Sequence, residues 1–132
     1  MKRNGILNSE IASVLSYMGH TDYLCIGDCG LPIPDGIKRI DVAIKKGMPS
    51  FITVLEEVVL DMVIEEIILA EEIIKKNPAI LHEIKAIVGD VKIIYVLHEE
   101  FKQQLKEAKA VIRTGECTPY ANIILKSNVN FN

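Results

Sequence analysis

Residues 91–108 have the sequence VKIIYVLHEEFKQQLKEA, in which an apolar run is followed at once by a mixed one. The run Val91–Leu97 is rich in β-branched residues and predicts a buried β-strand. From His98 to Ala108 the apolar residues recur every three or four positions, which predicts an amphipathic α-helix. A strand that leads directly into a helix is the unit from which α/β folds are built, so this stretch sets the expected fold class.

The same alternation of strands and helices continues on both sides of this stretch. Spacing and end signals predict three further helices, which run from Asn8 or Ser9 to Gly19, from Thr53 to about Val63, and from the N-cap Asn77 to Gly89. Short apolar or alternating runs predict further strands at Tyr23–Ile26, Arg39–Ile44, Ile67–Ala70, Ala110–Ile112 and Asn122–Leu125. We therefore predict one α/β domain over residues 1–132, with three αβα layers and a central, largely parallel sheet.

Charge and cysteine content exclude several classes of protein. The chain has 132 residues with 15 Lys and Arg against 18 Asp and Glu, and it has three cysteines. It shows no basic stripe typical of nucleic-acid binding, no run of about 20 apolar residues that would span a bilayer, and no signal-peptide core near its start. An odd cysteine count argues against a disulfide framework. We expect a cytoplasmic protein with neither a nucleic-acid nor a membrane partner.

The apolar content is high for a chain of this size. Hydrophobic residues make up 49% of the sequence, and its mean hydropathy is +0.25. A small domain has much surface for its volume, so some of these residues are expected to face something other than water. We therefore expect a homo-oligomer.

Polar residues at the ends of predicted strands indicate where a site would lie, because open α/β sheets bind ligands beyond the carboxyl ends of their strands. Asp28 follows one strand, and His98 follows another. His20 lies beside the strand that leads to Asp28, and Lys102 shares a helix face with His98. We expect these four side chains to converge on one pocket. Each also has an ordinary interpretation, as a polar turn, a loop carboxylate or a solvated helix residue.

The motifs of cofactor-dependent and covalent enzymes are absent from the sequence. There is no G-x-G-x-x-G dinucleotide fingerprint, no P-loop and no G-x-S-x-G nucleophile elbow. Cys25 and Cys29 lack the second cysteine pair that would complete a zinc set, so we expect no metal. Cofactor-free acid–base catalysis and plain ligand binding remain.

The segment RTGECTPYAN, Arg113–Asn122, is the most distinctive in the chain. It carries a guanidinium, a carboxylate, hydroxyls, a phenol and an amide on a short frame stiffened by Pro119. So many donors and acceptors suit a polyhydroxylated ligand. A surface loop of the same composition is the alternative.

Several motifs, taken together, resemble the D-ribose pyranase family, also called RbsD, to which the fucose mutarotases are more distantly related. They cover nearly the whole chain in order: Gly5-Ile6-Leu7-Asn8, Gly19-His20-Thr21-Asp22, Asp28 with Gly30-Leu31-Pro32-Ile33-Pro34, Ile40-Asp41, His98-Glu99-Glu100-Phe101-Lys102, and Ile112 to Asn122. The chain departs from the family at Cys29, where alanine is usual, and in the polar tail Ser127–Asn132.

The resemblance implies interconversion of the β-pyranose and β-furanose forms of D-ribose, with anomer exchange and without cofactor or metal. It assigns His20 as the proton donor. It assigns sugar binding to Asp28, His98, Lys102, Tyr120 and Asn122. It also implies homo-oligomers of stacked rings, typically decamers, with sites at subunit contacts.

The implied chemistry suits the residue types. Opening a hemiacetal removes a proton from the anomeric hydroxyl and gives one to the ring oxygen, and histidine is the side chain best suited to exchange protons near neutral pH. We expect His20 to protonate the ring oxygen, while Asp28 orients His20 or holds its tautomer. His98 is a candidate for the base. The alternatives are mutarotation of another sugar, such as fucose, and a non-catalytic sugar-binding accessory of ribose uptake.

Overall fold

Helices and strands alternate along the chain in the computed structural model, which describes residues 1–131. The helices are α1 (Ser9–Tyr17), α2 (Phe51–Asp61), α3 (Ile73–Lys76), α4 (Pro78–Val88) and α5 (His98–Gln104), with a 3₁₀ turn at Leu105–Glu107. The strands are β1 (Tyr23–Gly27), β2 (Lys38–Asp41), β3 (Ile64–Ala70), β4 (Lys92–Val96), β5 (Ala108–Arg113) and β6 (Ile123–Ser127). Every helix and strand predicted from the sequence has a counterpart here.

The strands form one six-stranded sheet in the order β2-β5-β1-β6-β3-β4. Strands β2, β5 and β1 are parallel to one another, and β3 is parallel to β4. Strand β6 is inserted between β1 and β3 and is antiparallel to both. The sheet is therefore mixed but mostly parallel, which confirms the predicted fold class.

Side chains alternate between the two faces of the sheet, and each face packs against helices. In β1, Leu24 and Ile26 are fully buried in the larger apolar cluster, which α1, α2 and α4 complete. Cys25, between them, points to the other face and joins a smaller cluster with Phe101 of α5 and Leu105. The sheet is thus the middle of three layers, and its second face carries less helical cover than its first.

Two helices begin where a polar side chain caps them. The Asn8 side-chain carbonyl accepts a hydrogen bond from the Ile11 N–H at 2.9 Å, and the Ser50 hydroxyl accepts one from the Thr53 N–H at 3.1 Å. Such caps satisfy N–H groups that the first turn of a helix leaves without a partner. The sequence signal at Asn8 is therefore confirmed.

The strand predicted at Val91–Leu97 is present as β4, but it is not the buried centre of the sheet. Among residues 1–131 it is an edge strand that pairs with β3 alone, and most of its residues are only half-buried in one chain. Leu97, just beyond it, is 56% exposed. An apolar run does not distinguish a central strand from an edge strand that needs cover from elsewhere.

Two local predictions need correction, and one short helix was not predicted. The strand expected to reach Ile44 ends at Asp41, because the chain turns back through a bridge between Lys45 and Met48. The helix expected to reach Ala108 gives way to a 3₁₀ turn after Gln104. The short helix α3 was not predicted at all, since four residues give no readable period.

Asn77 precedes α4 as predicted, but its side chain does not cap the helix. Its amide nitrogen instead donates to the Thr118 hydroxyl and to the Pro119 carbonyl, both at 2.9 Å. Asn77 therefore fastens a distant loop to the start of α4, which the local sequence could not show.

Within residues 1–131, each helix falls short of the length and apolar character that a membrane crossing requires.

Candidate active site

Asp28 and Asn122 form the centre of a polar cluster at the carboxyl end of β1. The Asp28 N–H donates to the Asn122 side-chain oxygen at 2.8 Å, and the Asn122 amide nitrogen donates to Asp28 Oδ2 at 3.0 Å. The Gly30 N–H donates to the other carboxylate oxygen, Oδ1, at 2.9 Å. Asn122 is fully buried and Asp28 half-buried, so a buried amide holds the aspartate in one orientation.

The loop after β5 is tied to the end of β1 through Thr114. Both its N–H and its hydroxyl donate to the Gly27 carbonyl, at 3.0 Å and 2.8 Å. Gly27 has no room for a side chain, because a Cβ there would lie 2.7 Å from the Leu31 side chain and 3.1 Å from the Asn122 oxygen. Glycine at this position lets the two loops approach closely enough for Asp28 and Asn122 to meet.

Glu116 organises the same loop from within. Its carboxylate, 8% exposed, accepts hydrogen bonds from the Phe51 N–H at the start of α2 and from both the N–H and the hydroxyl of Thr118. A carboxylate at a helix N-terminus is favoured by the unpaired N–H groups there. Glu116 therefore links the loop that leads to Tyr120 with the body of the fold.

Tyr120 adopts a left-handed backbone conformation, with φ of +56°. Residues other than glycine rarely adopt this conformation, which costs energy and persists where the surroundings fix it. Here Asn77 holds the preceding Thr118 and Pro119. The turn points the Tyr120 ring edge-on at the ring of His98, with centroids 5.1 Å apart.

His98 opens α5 without a capping side chain from its own segment. Both carboxylate oxygens of Glu72 accept its backbone N–H instead, at 3.0 and 3.1 Å. Its ring packs 6.3 Å from the ring of Phe101. Among the described residues, its Nδ1 is a buried side-chain nitrogen without a hydrogen-bond partner. Such a nitrogen is costly unless a ligand or a second chain satisfies it.

Lys102 lies one turn after His98 on α5, as predicted. Its ammonium makes an ion pair with Glu99 at 2.7 Å, and its side chain is 26% exposed. The hydrogen bond from Lys102 lowers the pKa of the Glu99 carboxyl, with the lysine charge as the next cause. Lys102 thus already has a carboxylate partner on its own helix.

His20 is placed elsewhere. Its Nε2 is 2.8 Å from a carboxylate oxygen of Glu65, the residue after the start of β3, and its side chain is 47% exposed. The other oxygen of Glu65 lies 2.9 Å from the Lys126 ammonium near the end of β6. The hydrogen bond with His20, and then that with Lys126, lower the pKa of the Glu65 carboxyl. The hydrogen bond with Glu65 in turn raises the pKa of Lys126.

The expectation that His20, Asp28, His98 and Lys102 converge on one pocket is therefore wrong for a single chain. His20 lies before β1, at the edge of the sheet where β3 begins and β6 ends. Asp28 follows β1, at the opposite edge, where β6 begins. The reason is topological, since one whole strand separates the two residues.

Sequence reasoning missed three carboxylates that shape these two groups of residues. Glu116 lies inside the loop that the sequence marked as distinctive, but nothing local showed that it is buried. Glu72 and Glu65 reach His98 and His20 across 26 and 45 positions. Partners so far away in sequence leave no local pattern.

The part of the chain that the structure describes contains no group of three or more His, Cys, Asp or Glu side chains arranged to hold a metal ion. The cluster around Asp28 is instead composed of hydroxyls, an amide, the His98 imidazole and the held carboxylates of Asp28 and Glu116. These groups bind hydroxyls and transfer protons.

Comparison with known proteins gives matches along the full length of the chain. A family model described as the RbsD / FucU transport protein family matches residues 1–130. The D-ribose pyranase of Geobacillus thermodenitrificans is 59% identical over 131 residues, which cover 99% of both chains. The D-ribose pyranase of Bacillus cytotoxicus is 56% identical over the same length, covering 99% of this chain and 100% of that protein.

Solved structures of other proteins share the fold of this chain. Bacillus subtilis RbsD complexed with D-ribose superposes with a TM-score of 0.97 at 46% identity, covering 99% of this chain and 100% of that one. The fucose mutarotase of Streptococcus pneumoniae in complex with L-fucose superposes with a TM-score of 0.81, covering 95% of each chain. Its 24% identity shows a shared fold alone.

Proposed function

The chain belongs to the RbsD / FucU transport protein family, and from this premise we propose that it is a D-ribose pyranase, an isomerase that interconverts the pyranose and furanose forms of D-ribose. Full-length similarity to proteins named D-ribose pyranase carries the proposal. The geometry at the carboxyl end of β1 supports it, because the groups there are those that a small polyhydroxylated ligand needs.

The binding half of the site is the cluster around Asp28. A carboxylate has about four lone-pair positions, and two of those on Asp28 are taken by Gly30 and Asn122. The rest can accept hydroxyls of the sugar. His98 adds its Nδ1, which has no hydrogen-bond partner among the described residues, and Tyr120 adds the phenol of a ring that lies edge-on to the imidazole. In this proposal Asp28, His98, Tyr120 and Asn122 hold the ribose, and Lys102 contacts it from α5.

The reaction needs one proton given and one removed. The bond between the ring oxygen and the anomeric carbon breaks, the ring oxygen takes a proton, and the anomeric hydroxyl loses its own as the aldehyde forms. Closure through a different hydroxyl reverses these transfers and gives the other ring size. We assign the donor role to His20 and name His98 as the candidate base, and positioned acid–base groups of this kind contribute about 10²–10⁴-fold.

His20 can serve a sugar held at Asp28 only if it comes from a second copy of the chain. The proposal therefore includes a homo-oligomer in which the His20 edge of one subunit meets the Asp28 edge of another, and the family resemblance suggests a decamer of stacked rings in the cytoplasm. The half-buried apolar edge at β4 and the thinly covered second sheet face support subunit contact. Light scattering that gives the 14.7 kDa mass of one chain would contradict it.

The test is saturation-transfer NMR on free D-ribose, with EDTA present so that a metal contributes nothing. The protein should speed exchange between the pyranose and furanose signals, and His20→Ala should lose about 10²–10⁴-fold of that gain. His82→Ala is the matched control, since His82 lies exposed on α4 and should change nothing.

The same assay decides between the other candidates. Exchange that is faster for L-fucose than for D-ribose would identify a mutarotase of another sugar. Ribose binding without faster exchange would identify a sugar-binding accessory of uptake. Equal exchange by the parent and by His20→Ala would show that His20 is not the donor.

A further inference from the structure

Cys29 and Cys117 face each other at the rim of the Asp28 cluster. Their sulfur atoms are 3.6 Å apart, although 88 positions separate the residues in sequence. Cys29 is half-buried and Cys117 is exposed. The third cysteine, Cys25, is fully buried in the sheet, where burial raises the pKa of its thiol and keeps it unreactive.

Hydrogen bonds hold the two chain segments that carry this pair side by side. The Cys29 N–H donates to the Glu116 carbonyl at 2.9 Å, which sets the two chain segments side by side. The Arg113 Nε donates to the Cys29 carbonyl at 3.1 Å, and the Cys117 thiol donates to the Gly115 carbonyl at 3.3 Å. Both sulfurs therefore sit on a hydrogen-bonded frame.

We propose that Cys29 and Cys117 form a redox-active dithiol site that closes to an intramolecular disulfide by exchange with a low-molecular-weight disulfide such as oxidised glutathione. The sulfurs need to approach to roughly 2.0 Å. That movement of about 1.5 Å is within the reach of rotation about two side chains and a small loop shift.

The exchange has two balanced steps. The Cys117 thiolate attacks one sulfur of the oxidant, the oxidant's S–S bond breaks, and one small thiolate leaves. The Cys29 thiolate then attacks the Cys117 sulfur of the mixed disulfide and expels the second small thiolate. The two cysteine protons end on the two released thiols, so the protein is oxidised by two electrons and the small disulfide is reduced by two.

Exposure and charge set the order of attack. Cys117 is open to solvent, which an incoming disulfide requires. The hydrogen bond with Cys117 raises the pKa of the Cys29 thiol, and burial and the nearby Asp28 charge raise it further, while Arg113 lowers it. The raised pKa keeps less of Cys29 in the thiolate form and its side chain is half-buried, so it is the natural resolving partner for the exposed Cys117.

Closure would also affect the neighbouring cluster, and this consequence rests on the proposed function. Cys29 directly follows Asp28 in the chain, and Cys117 lies three residues before Tyr120. Drawing the sulfurs together pulls both sides of the cluster, so we expect the oxidised protein to exchange ribose ring forms several-fold more slowly and to recover with dithiothreitol.

In the test, the 132-residue chain is equilibrated with graded ratios of reduced and oxidised glutathione, and the free thiols are then alkylated for intact mass and peptide mapping. The parent should lose two alkylation sites together and give a peptide pair linked through Cys29 and Cys117, with Cys25 still reduced. Cys29→Ala should stop at glutathione bound to Cys117. A parent that also stops there, or that links Cys117 between two chains, would overturn the proposal.

Ring exchange is measured on the same samples. The double variant Cys29→Ala/Cys117→Ala should match the reduced parent and ignore the oxidant. If the cross-link forms while exchange stays constant, the coupling to the sugar site is wrong. If the reduced parent shows no exchange at all, the proposed function fails, and the mass data still decide whether the disulfide forms.

Discussion

His20 and Asp28 lie at opposite edges of one sheet, because His20 precedes β1 and Asp28 follows it. A strand rises about 3.3 Å per residue, so the five residues of β1 hold the two side chains much further apart than a hydrogen bond. His20 contacts Glu65 at its edge, and Asp28 contacts Asn122 at the other. An active site that uses both must be assembled from two copies of the chain.

Mixed oligomers should test this arrangement directly. His20→Ala and Asp28→Ala should each lose most of the gain in ring exchange when assembled alone. When the two variants are co-assembled at random, roughly a quarter of the sites should receive a native residue on both sides of a head-to-tail interface, and activity should return in proportion. NMR exchange rates across mixing ratios measure this recovery.

The matched control mixes two variants whose lesions lie on the same edge. Asp28→Ala with Asn122→Ala should never recover, since every site then carries one damaged binding cluster. Recovery of this pair, or failure of the first pair in oligomers that mass spectrometry shows to be mixed, would mean that the two residues do not share a site between copies.

The reciprocal hydrogen bonds between Asp28 and Asn122 support a second prediction. Asp28→Asn keeps the size of the side chain but turns an acceptor into a donor, facing either the Asn122 amide or the Gly30 N–H. A hydrogen bond left unmade at a fully buried partner costs about 1–3 kcal/mol of stability. Urea unfolding should show this loss, and D-ribose should bind more weakly.

The swap Asp28→Asn/Asn122→Asp separates stability from binding. It restores one donor and one acceptor between the two positions while it moves the carboxylate to the buried side. We expect the unfolding free energy to recover most of the loss, as a coupled pair does in a double-mutant cycle, while ribose affinity stays low. If the unfolding free energy and the ribose affinity both recovered, ribose binding would not require the carboxylate to be at position 28.

The secondary structure and the largely parallel character of the sheet were predictable because apolar periodicity is a strong local signal, whereas strand patterns did not indicate which strand runs antiparallel. A parallel return needs a crossover of about a dozen residues or more, and only the loop between Arg113 and Ile123 joins β5 to β6. That loop is too short for a crossover. Strand β6 therefore begins at the same end of the sheet where β5 finishes, and it runs antiparallel to β1 and β3. Loop length therefore held the signal that strand patterns lacked.

The candidate site was likewise predictable only in part. The polar loop ending in Tyr120 and Asn122 was visible in the sequence because its residue types are concentrated in one place. The separation of His20 from Asp28 was not, because it depends on which end of β1 each residue occupies. Whether two copies meet there is a property of the assembly, which local patterns do not encode.

Gly115 is a third position at which the structure makes a sharp prediction. A Cβ there would lie 2.5 to 2.6 Å from backbone atoms of Lys45 and Met48, which cannot rotate away as a side chain can. Gly115→Ala should therefore cost about 1–3 kcal/mol or more, since the turn must move as a whole. Thermal melting against Gly30→Ala, where the nearest atom is 3.7 Å away, provides the comparison. Equal melting temperatures would contradict the close approach.

Glu65 should make stability depend on acid pH. Its hydrogen bonds, first with His20 and then with Lys126, lower the pKa of its carboxyl in the folded state. The stabilisation is therefore fully present above the ordinary glutamate pKa of about 4.3, and it is lost as the pH falls through the lower folded value. Glu65→Gln should melt at a lower temperature than the parent at neutral pH, and this gap in melting temperature should close on acidification below about pH 4.

Glu56→Gln is the control, because Glu56 is an exposed residue on α2 without an ion pair among the described residues. Its gap in melting temperature from the parent should be small and should not change with pH. A gap for Glu65→Gln that is equally constant would mean that its contacts with His20 and Lys126 do not favour the charged carboxylate.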